Sequence, residues 1–219
     1  MSNIKFQIVE NSDEGIDLAE NIIYQNCDKN TVLFLSGGNT PKPLYQKLAL
    51  EQKLKAGAVG MVDDRYTFHQ QYSNEIMIKD SGLTKFLDQK NIAFYPILKF
   101  GLSRQKTAQE YDETVRFLLT HFPKSVAILG IGADGHTAGI PIDADLKSME
   151  NKLVMDYDTF PTEPKDRVTL TFTALSMIDC LIVLVFGEDK KEVVKNLPDF
   201  YKREDIIKKT ILITDQKLT

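Results

Sequence analysis

The amino-acid sequence has few of the residues on which disulfide frameworks and metal sites depend. Among its 219 residues there are two cysteines, three histidines and no tryptophan. Cys27 and Cys180 have no CxxC neighbour, which excludes a disulfide framework, and their apolar surroundings predict buried thiols. No metal-ligand spacing is present either. We therefore expect neither a disulfide nor a bound metal.

Long apolar runs and targeting segments are also missing. No uninterrupted run approaches the ~20 residues that a membrane helix requires. The N-terminus, residues 1–5, lacks the charged and apolar regions of a signal peptide. We expect a cytoplasmic protein.

The chain has no excess of positive charge. Lysine and arginine number 27 against 31 aspartate and glutamate, which gives a net charge of −4 without any basic run. This balance disfavours nucleic acid and anionic membranes as partners, because both bind clustered positive charge. The composition, 42% hydrophobic and 26% charged, is globular, and the length favours one domain over residues 1–219.

Short apolar runs alternate with segments of helical periodicity. Predicted helices include residues 16–27, behind a capping pair of Asn11 and Glu14, and residues 188–196. Runs that are apolar throughout are typical of a parallel sheet covered on both faces. We predict an open doubly wound sheet in an α/β sandwich, with a polar excursion at 141–166 that contains a short strand, 152–155. The main predicted strands are residues 32–35, 58–62, 92–95, 126–129, 181–185 and 210–214.

A glycine-containing segment follows the first of these strands. It contains Ser36, Gly37, Gly38 and Thr40, with Thr40 as the expected N-cap of a helix whose first position is Pro41. The segment is either a tight turn or a loop whose backbone N–H groups bind an anion. It matches neither GxGxxG nor a Walker A loop, so it indicates neither a dinucleotide nor ATP.

Asp63, Asp64 and Arg65 directly follow the next strand. Two carboxylates beside an arginine could place a base next to a cation that binds an oxyanion. The alternative is a solvated charged loop.

His136 stands in a glycine-rich segment at the end of the strand 126–129, two residues after Asp134. Histidine transfers protons near neutral pH, and a neighbouring carboxylate can hold its tautomer. We therefore predict a catalytic role for His136, and a structural or solvated position for His69 and His121.

Two further cations begin elements near the same predicted sheet edge. Arg167 begins a predicted strand, and Lys190 opens the helix after the strand 181–185. Either could complete a phosphate site, although Lys190 by itself is one of many surface lysines. Ligands of open α/β sheets bind beyond the carboxyl ends of the strands, where these segments would meet.

Together the segments resemble the 6-phosphogluconolactonase family, which is grouped with glucosamine-6-phosphate deaminases and ribose-5-phosphate isomerases. The most diagnostic string is Gly-x-Asp-Gly-His-Thr-Ala. The resemblance implies an α/β sandwich around a parallel sheet, a sugar-6-phosphate substrate and no metal. It is carried, in order, by residues 35–41, 63–65 with 73–74, 129–138, 167–171 and 186–190.

The resemblance implies hydrolysis of 6-phosphoglucono-δ-lactone in the oxidative pentose phosphate pathway. His136 would be the general base on water, and Asp134 would hold its imidazole. Arg65 would lie near the developing oxyanion, and Asp63 would bind the water or a substrate hydroxyl. A lactone is already activated, so we expect no cofactor. The residues expected to hold the phosphate are Ser36, Gly37, Gly38, Thr40, Arg167 and Lys190.

Two alternatives are weighed against the lactonase. A glucosamine-6-phosphate deaminase or isomerase would use Asp63 as its base, but deaminases resemble a pattern with glutamate where Pro141 stands and an aromatic where Arg65 stands. A non-catalytic sugar-phosphate sensor would need a partner module, and the first predicted strand–helix unit begins close to Met1.

The chain departs from the family pattern at several positions. Asn39 replaces a serine, Asp64 replaces a glutamate, and residues 139–142 replace a small residue followed by Leu-Phe-Pro. A final helix with tryptophan is not expected, because the sequence has none. These differences concern the rim of the site and the oligomeric state, which we expect to be a monomer or weak homodimer.

Overall fold

A computed structural model describes residues 4–67, 69–144 and 149–217 of the chain. Within these residues the strands are β1 (Lys5–Ile8), β2 (Thr31–Leu35), β3 (Ala58–Met61), β4 (Asp63–Arg65), β5 (Ala93–Tyr95), β6 (Lys124–Gly130), β7 (Val154–Tyr157), β8 (Arg167–Leu170), β9 (Cys180–Val185) and β10 (Thr210–Thr214). The α-helices are α1 (Ser12–Asn26), α2 (Lys42–Glu51), α3 (Asn74–Asp80), α4 (Leu83–Gln89), α5 (Arg104–His121), α6 (Phe172–Met177), α7 (Lys191–Lys195) and α8 (Glu204–Ile207). Short 3₁₀ turns lie at Gln70–Tyr72, Glu188–Lys190 and Asp199–Lys202.

The main sheet is parallel throughout. Its strand order is β1-β10-β9-β6-β2-β3-β5. Every residue of β2 is buried, and so is every residue of β9 after the first. Since successive side chains of a strand point to opposite faces, this burial means that both faces are covered. The predicted fold class, an α/β sandwich around a mostly parallel sheet, is confirmed.

The chain changes direction across the sheet between β2 and β6. From β2 it proceeds outward through β3 to β5, then returns to β6 on the other side of β2 and continues through β9 to β10. At such a switch point the loops after the two strands separate and leave a crevice. Ser36 follows β2, and the loop with His136 follows β6, so the topology brings both to this crevice.

A second, antiparallel sheet consists of β4, β8 and β7. Asp63 and Asp64 are buried strand residues, so the alternative of a solvated loop is wrong. Pairing with β8 satisfies their backbone, and the donors described below satisfy their side chains. The strand predicted at Arg167 is confirmed as β8. The strand predicted at 152–155 is found two residues later as β7; residues 145–148 of the same excursion lie outside the described residues.

Side-chain caps begin α1, as the sequence predicts, and α3. Asn11 Oδ1 accepts a hydrogen bond from the Glu14 backbone N–H at 3.0 Å, and Ser73 Oγ accepts one from Ile76 at 3.3 Å. The predicted cap of α2 was wrong: Pro41 is the N-cap residue, and no side chain caps the helix. Thr40 therefore precedes the cap.

The ends of the chain differ in detail from the prediction. The helix predicted over 188–196 begins as a 3₁₀ turn and becomes α-helical only over α7. Strand β1 was not predicted, because it is short and partly exposed at the sheet edge. Residues 1–3 of the N-terminal segment lie outside the described residues.

The thiols are not paired with each other. Cys27 is buried, as predicted, whereas Cys180 is partly exposed. Burial raises the pKa of the Cys27 thiol to about 12 and that of the Cys180 thiol to about 11. In the part of the chain that the structure describes, every helix is too short or too polar to cross a bilayer.

Candidate active site

A cleft of about 190 Å³ opens at the carboxyl ends of β2, β3 and β6. Most residues predicted for the site line this cleft. Asp134 and Arg167 do not line it but contact or neighbour residues that do. The lining residues are Ser36, Gly37, Gly38, Thr40, Pro41, Asp63, Arg65, Asn74, Gly130, Ile131, Gly132, His136, Ala138 and Lys190.

His136 and Asp134 form a close pair. Nδ1 of His136 lies 2.5 Å from Oδ1 of Asp134. Burial would raise the pKa of Asp134, but the hydrogen bond and charge interaction with His136 outweigh this and lower it. The ionised carboxylate accepts the proton of Nδ1, which leaves the Nε2 lone pair of a neutral imidazole available to a substrate or water.

The loop between β6 and Ala138 holds this pair in place. The backbone N–H of Gly132 donates to the carbonyl of His136 at 2.8 Å, and Thr137 Oγ1 donates to the carbonyl of Gly130 at 2.8 Å. A Cβ at Gly132 would lie 2.2 Å from Nδ1 of His136. Only glycine at this position therefore leaves room for the imidazole.

Arg65 and Asp63 are joined by Asn74. Arg65 Nη1 donates to Oδ1 of Asn74 at 2.5 Å and to the carbonyl of Tyr72 at 2.9 Å. Asn74 Nδ2 in turn donates to Oδ2 of Asp63 at 3.0 Å. Burial raises the pKa of Asp63 against the charges of Arg65 and Arg167. The structure thus links a carboxylate to a cation through one amide, and the catalytic roles of Asp63 and Arg65 stay predictions.

Asn74 is the site residue that the sequence reasoning missed. The sequence indicates Asn74 only as part of the segment that follows Asp63, Asp64 and Arg65 in the family pattern. Asn74 is 2% exposed, and a Cβ at Gly37 would lie 1.8 Å from its Oδ1. The signal was its place directly after Ser73 in that motif, but only the fold shows that it links Arg65 to Asp63.

Asp64 is structural in this arrangement. It accepts hydrogen bonds from the backbone N–H groups of Arg65, Asn74 and Glu75 and from Ser73 Oγ. Burial nevertheless raises the pKa of Asp64 to about 6. Asp64 therefore connects the start of α3 to β4. The aspartate that stands here in place of the family's glutamate is thus buried inside the protein and does not lie at the rim of the site.

The segment after β2 presents donors to the cleft. Ser36 is 3% exposed, and its Oγ has no hydrogen-bond partner among the described residues. Its carbonyl accepts a hydrogen bond from the Tyr45 hydroxyl at 2.7 Å, which fixes the turn. Gly38 has a φ of +97°, which favours glycine. These features suit a phosphate or another anion.

Arg167 lies next to the cleft without lining it. It is 4% exposed, and its Nη1 has no hydrogen-bond partner among the described residues. Burial and then the charge of Arg65 lower the pKa of Arg167 to about 10. A buried arginine with an unused donor is suited to an anionic ligand.

Lys190 reaches the cleft from the 3₁₀ turn that follows β9. Its Nζ lies 3.3 Å from Oδ2 of Asp189, and its side chain is 18% exposed. The loop that carries it begins at Gly187, whose N–H donates to the carboxylate of Asp215 at 3.1 Å and whose carbonyl accepts from Gln216 Nε2 at 3.0 Å. These contacts form a clamp on Gly187 that no sequence pattern indicates, because Asp215 and Gln216 lie far along the chain, after β10.

Metal ligands are not grouped in the described residues: no three histidine, cysteine, aspartate or glutamate side chains there are arranged to hold an ion. The expectation of a reaction without metal or cofactor stays a prediction.

Comparison with known proteins identifies the family. Residues 14–206 match the model of the glucosamine-6-phosphate isomerases/6-phosphogluconolactonase family. The chain is 31% identical to a 6-phosphogluconolactonase of Thermotoga maritima over 75% of this chain and 74% of that protein. It is 30% identical to one of Xylella fastidiosa over 80% of this chain and 76% of that protein. The chain therefore belongs to this family, and the resemblance seen in the sequence is confirmed.

Solved structures agree with the fold. The 6-phosphogluconolactonase of Plasmodium vivax superimposes with a TM-score of 0.81 at 19% identity, over 100% of this chain and 92% of that one. The 6-phosphogluconolactonase of Thermotoga maritima superimposes with a TM-score of 0.72 at 24% identity, over 98% and 99%.

Proposed function

We propose that this chain hydrolyses 6-phosphoglucono-δ-lactone to 6-phosphogluconate in the cleft between β2 and β6. The names of its relatives support the reaction. The observation that carries the proposal is the pair of His136 and Asp134, 2.5 Å apart, facing a cleft that Arg65 and Lys190 also line. One proton-transfer group among several cations suits the hydrolysis of an anionic ester.

His136 acts as the general base. Its Nε2 takes a proton from a water molecule as the water oxygen bonds to the lactone carbonyl carbon. The carbonyl becomes an oxyanion, and the Arg65 guanidinium, which lines the cleft, stabilises it. When the carbonyl forms again, the bond to the ring oxygen breaks, and Nε2 returns the proton to that oxygen. Such proton transfer contributes typically ~10²–10⁴ in rate.

The phosphate binds at the other end of the cleft. Ser36 Oγ, the backbone N–H groups of the following glycines, and Lys190 provide donors of the required charge and direction. Arg167, which pairs with Arg65 across β4 and β8, supplies a further buried donor beside the cleft. Binding energy from the phosphate orients the reacting carbonyl against His136.

The experiment is a lactone-disappearance assay. The lactone is generated in the cuvette from glucose 6-phosphate by its dehydrogenase, and spontaneous opening is recorded without the protein. We expect wild type to accelerate opening, His136→Ala to lower kcat by about 10²-fold or more with KM nearly unchanged, and His121→Ala, at the end of α5, to behave as wild type.

Two results would contradict the proposal. Wild type without acceleration, combined with ammonia release from glucosamine 6-phosphate, would favour a deaminase with Asp63 as its base. Acceleration that persists in His136→Ala would remove His136 from the reaction while keeping the activity.

A further inference from the structure

Phe160 contacts two of the proposed site residues at once. Its ring stands edge-on to the imidazole of His136, with centroids 5.2 Å apart and planes at 86°. Cζ of Arg167 lies 4.6 Å from the centroid of the same ring. Phe160 is 1% exposed. Cation–π contacts are strongest where water is excluded, and both Phe160 and Arg167 are almost fully buried.

Arg104 binds the segment that carries Phe160 to the start of α5. Arg104, the first residue of α5, donates to Asp156 at 2.8 Å, to Asp158 at 3.0 Å and to Asp166. The first two carboxylates precede Phe160 in the chain, and the third follows it. The Arg104 side chain is 13% exposed and Asp156 is 25% exposed, so the ion pair between them is the one best shielded from water. The position of Phe160 is therefore set by α5, outside the loops of the cleft.

The hydrogen bond to Asp134 holds Nδ1 of His136, but the Asp134 side chain is 43% exposed, so this bond alone does not stop the two side chains from moving together. The Phe160 ring packs against the imidazole and restricts that movement, which keeps Nε2 in one direction. We infer that Phe160 is a positioning residue that fixes the imidazole plane of His136 and the guanidinium of Arg167 together. This inference rests on the proposed function, because it concerns the orientation of the proposed base and of a proposed phosphate ligand.

Phe160→Leu tests the inference kinetically, because it keeps an apolar side chain and removes the ring. Displacing a reacting group by ~1 Å can lower the rate by ~10²-fold, so we expect kcat to fall by at least about tenfold. KM should rise as well, because Arg167 loses its support. The matched control is Phe86→Leu, which removes a ring of similar burial in α4, outside the cleft. Equal kcat and KM in the two variants would overturn the inference.

A second readout needs no catalysis. The chain has three histidines, so its imidazole NMR spectrum is simple, and the His136 signals are those lost in His136→Ala. Phe160→Leu should move these signals, by removing the ring current, and leave those of His69 and His121 in place. Unmoved His136 signals would overturn the inference.

The wild-type protein offers a test that does not depend on a folded variant. Protons of the Phe160 ring should show a nuclear Overhauser effect to the His136 ring, and its absence would also overturn the inference. Failure of the lactone assay alone would count against the proposed function, because the two NMR measurements report the contact whatever the reaction is.

Discussion

Arg65 faces Arg167 directly across the antiparallel strands β4 and β8. Like charges at opposite positions of a sheet repel each other, and burial weakens the screening by water. The neighbouring carboxylates Asp63 and Asp64 offset part of this repulsion. A bound anion would offset more of it, so the ligand-free protein contains a cationic pair that favours binding.

Ligand binding is expected to stabilise the fold through this pair. 6-Phosphogluconate should raise the Tm of wild type, by an amount equivalent to about 2.7 kcal/mol when its concentration is about 100 times Kd. Arg167→Met should lose most of this shift, and gluconate, which has no phosphate, should produce little of it in either protein. Differential scanning fluorimetry measures all four combinations. An equal shift in wild type and Arg167→Met would remove Arg167 from the phosphate site.

Asp134→Asn should lower kcat without preventing binding. The asparagine amide can donate to Nδ1 of His136, which favours the tautomer with its proton on Nε2 and removes the base. We expect kcat to fall by at least about 10²-fold, since a wrong tautomer has a large effect in other histidine-dependent hydrolases, with KM close to wild type. Steady-state kinetics check this, with Asp143→Asn, an exposed loop carboxylate, as the control. A kcat equal to wild type would contradict the proposed role.

Lys190→Ala should raise KM. Removing a charged hydrogen-bond donor from a phosphate weakens binding by about 1.5–3 kcal/mol, or roughly tenfold to 100-fold in KM. The next residue, Lys191, is exposed and does not line the cleft, so Lys191→Ala is the matched control. The lactone assay gives both constants. If the two variants have the same KM, Lys190 does not hold the phosphate.

Asp64 should give the stability a specific dependence on pH. Burial raises its pKa from the ordinary 3.8 to about 6 in the folded protein. Between these values the native state binds a proton that the unfolded chain does not, so the contribution of Asp64 to stability grows as pH falls through 6. From pH 7.5 to pH 5 this contribution is about 1 kcal/mol in favour of the folded state.

The comparison with Asp64→Asn isolates this contribution. The variant is expected to be less stable at every pH, because an amide cannot accept all four hydrogen bonds. When the pH falls from 7.5 to 5, the unfolding free energy of wild type should include the favourable contribution from protonation of Asp64. The unfolding free energy of the variant should not include it. Urea denaturation at both pH values measures it, with Asp88→Asn at the end of α4 as the control. Identical pH dependence in wild type and Asp64→Asn would refute the assignment.

The parallel sheet could be predicted from the sequence because its strands are apolar on both faces. The main-sheet strands β6, β9 and β10 lie at or within a few residues of their predicted limits. Strand β4 could not be predicted in this way. It is three charged residues long, and it exists because β8, far along the chain, pairs with it.

The site residues also differ in how far the sequence predicts them. His136, Asp134 and the segment from Ser36 to Thr40 are local motifs that follow strands, and most of them line the cleft. Asn74 and Phe160 act through contacts with residues distant in sequence, and neither residue type signals chemistry by itself. Their roles depend on packing between residues that are distant in the chain, which the sequence pattern does not predict.

The clamp on Gly187 links the Lys190 side of the cleft to strand β10. Asp215 and Gln216 follow β10, which lies between β9 and β1 in the sheet. While the chain is being synthesised, β1 therefore remains unpaired until β10, residues 210–214, emerges from the ribosome. The loop of Lys190 is fixed only after that, so the pairing of β1 and the candidate site are completed in the same late event.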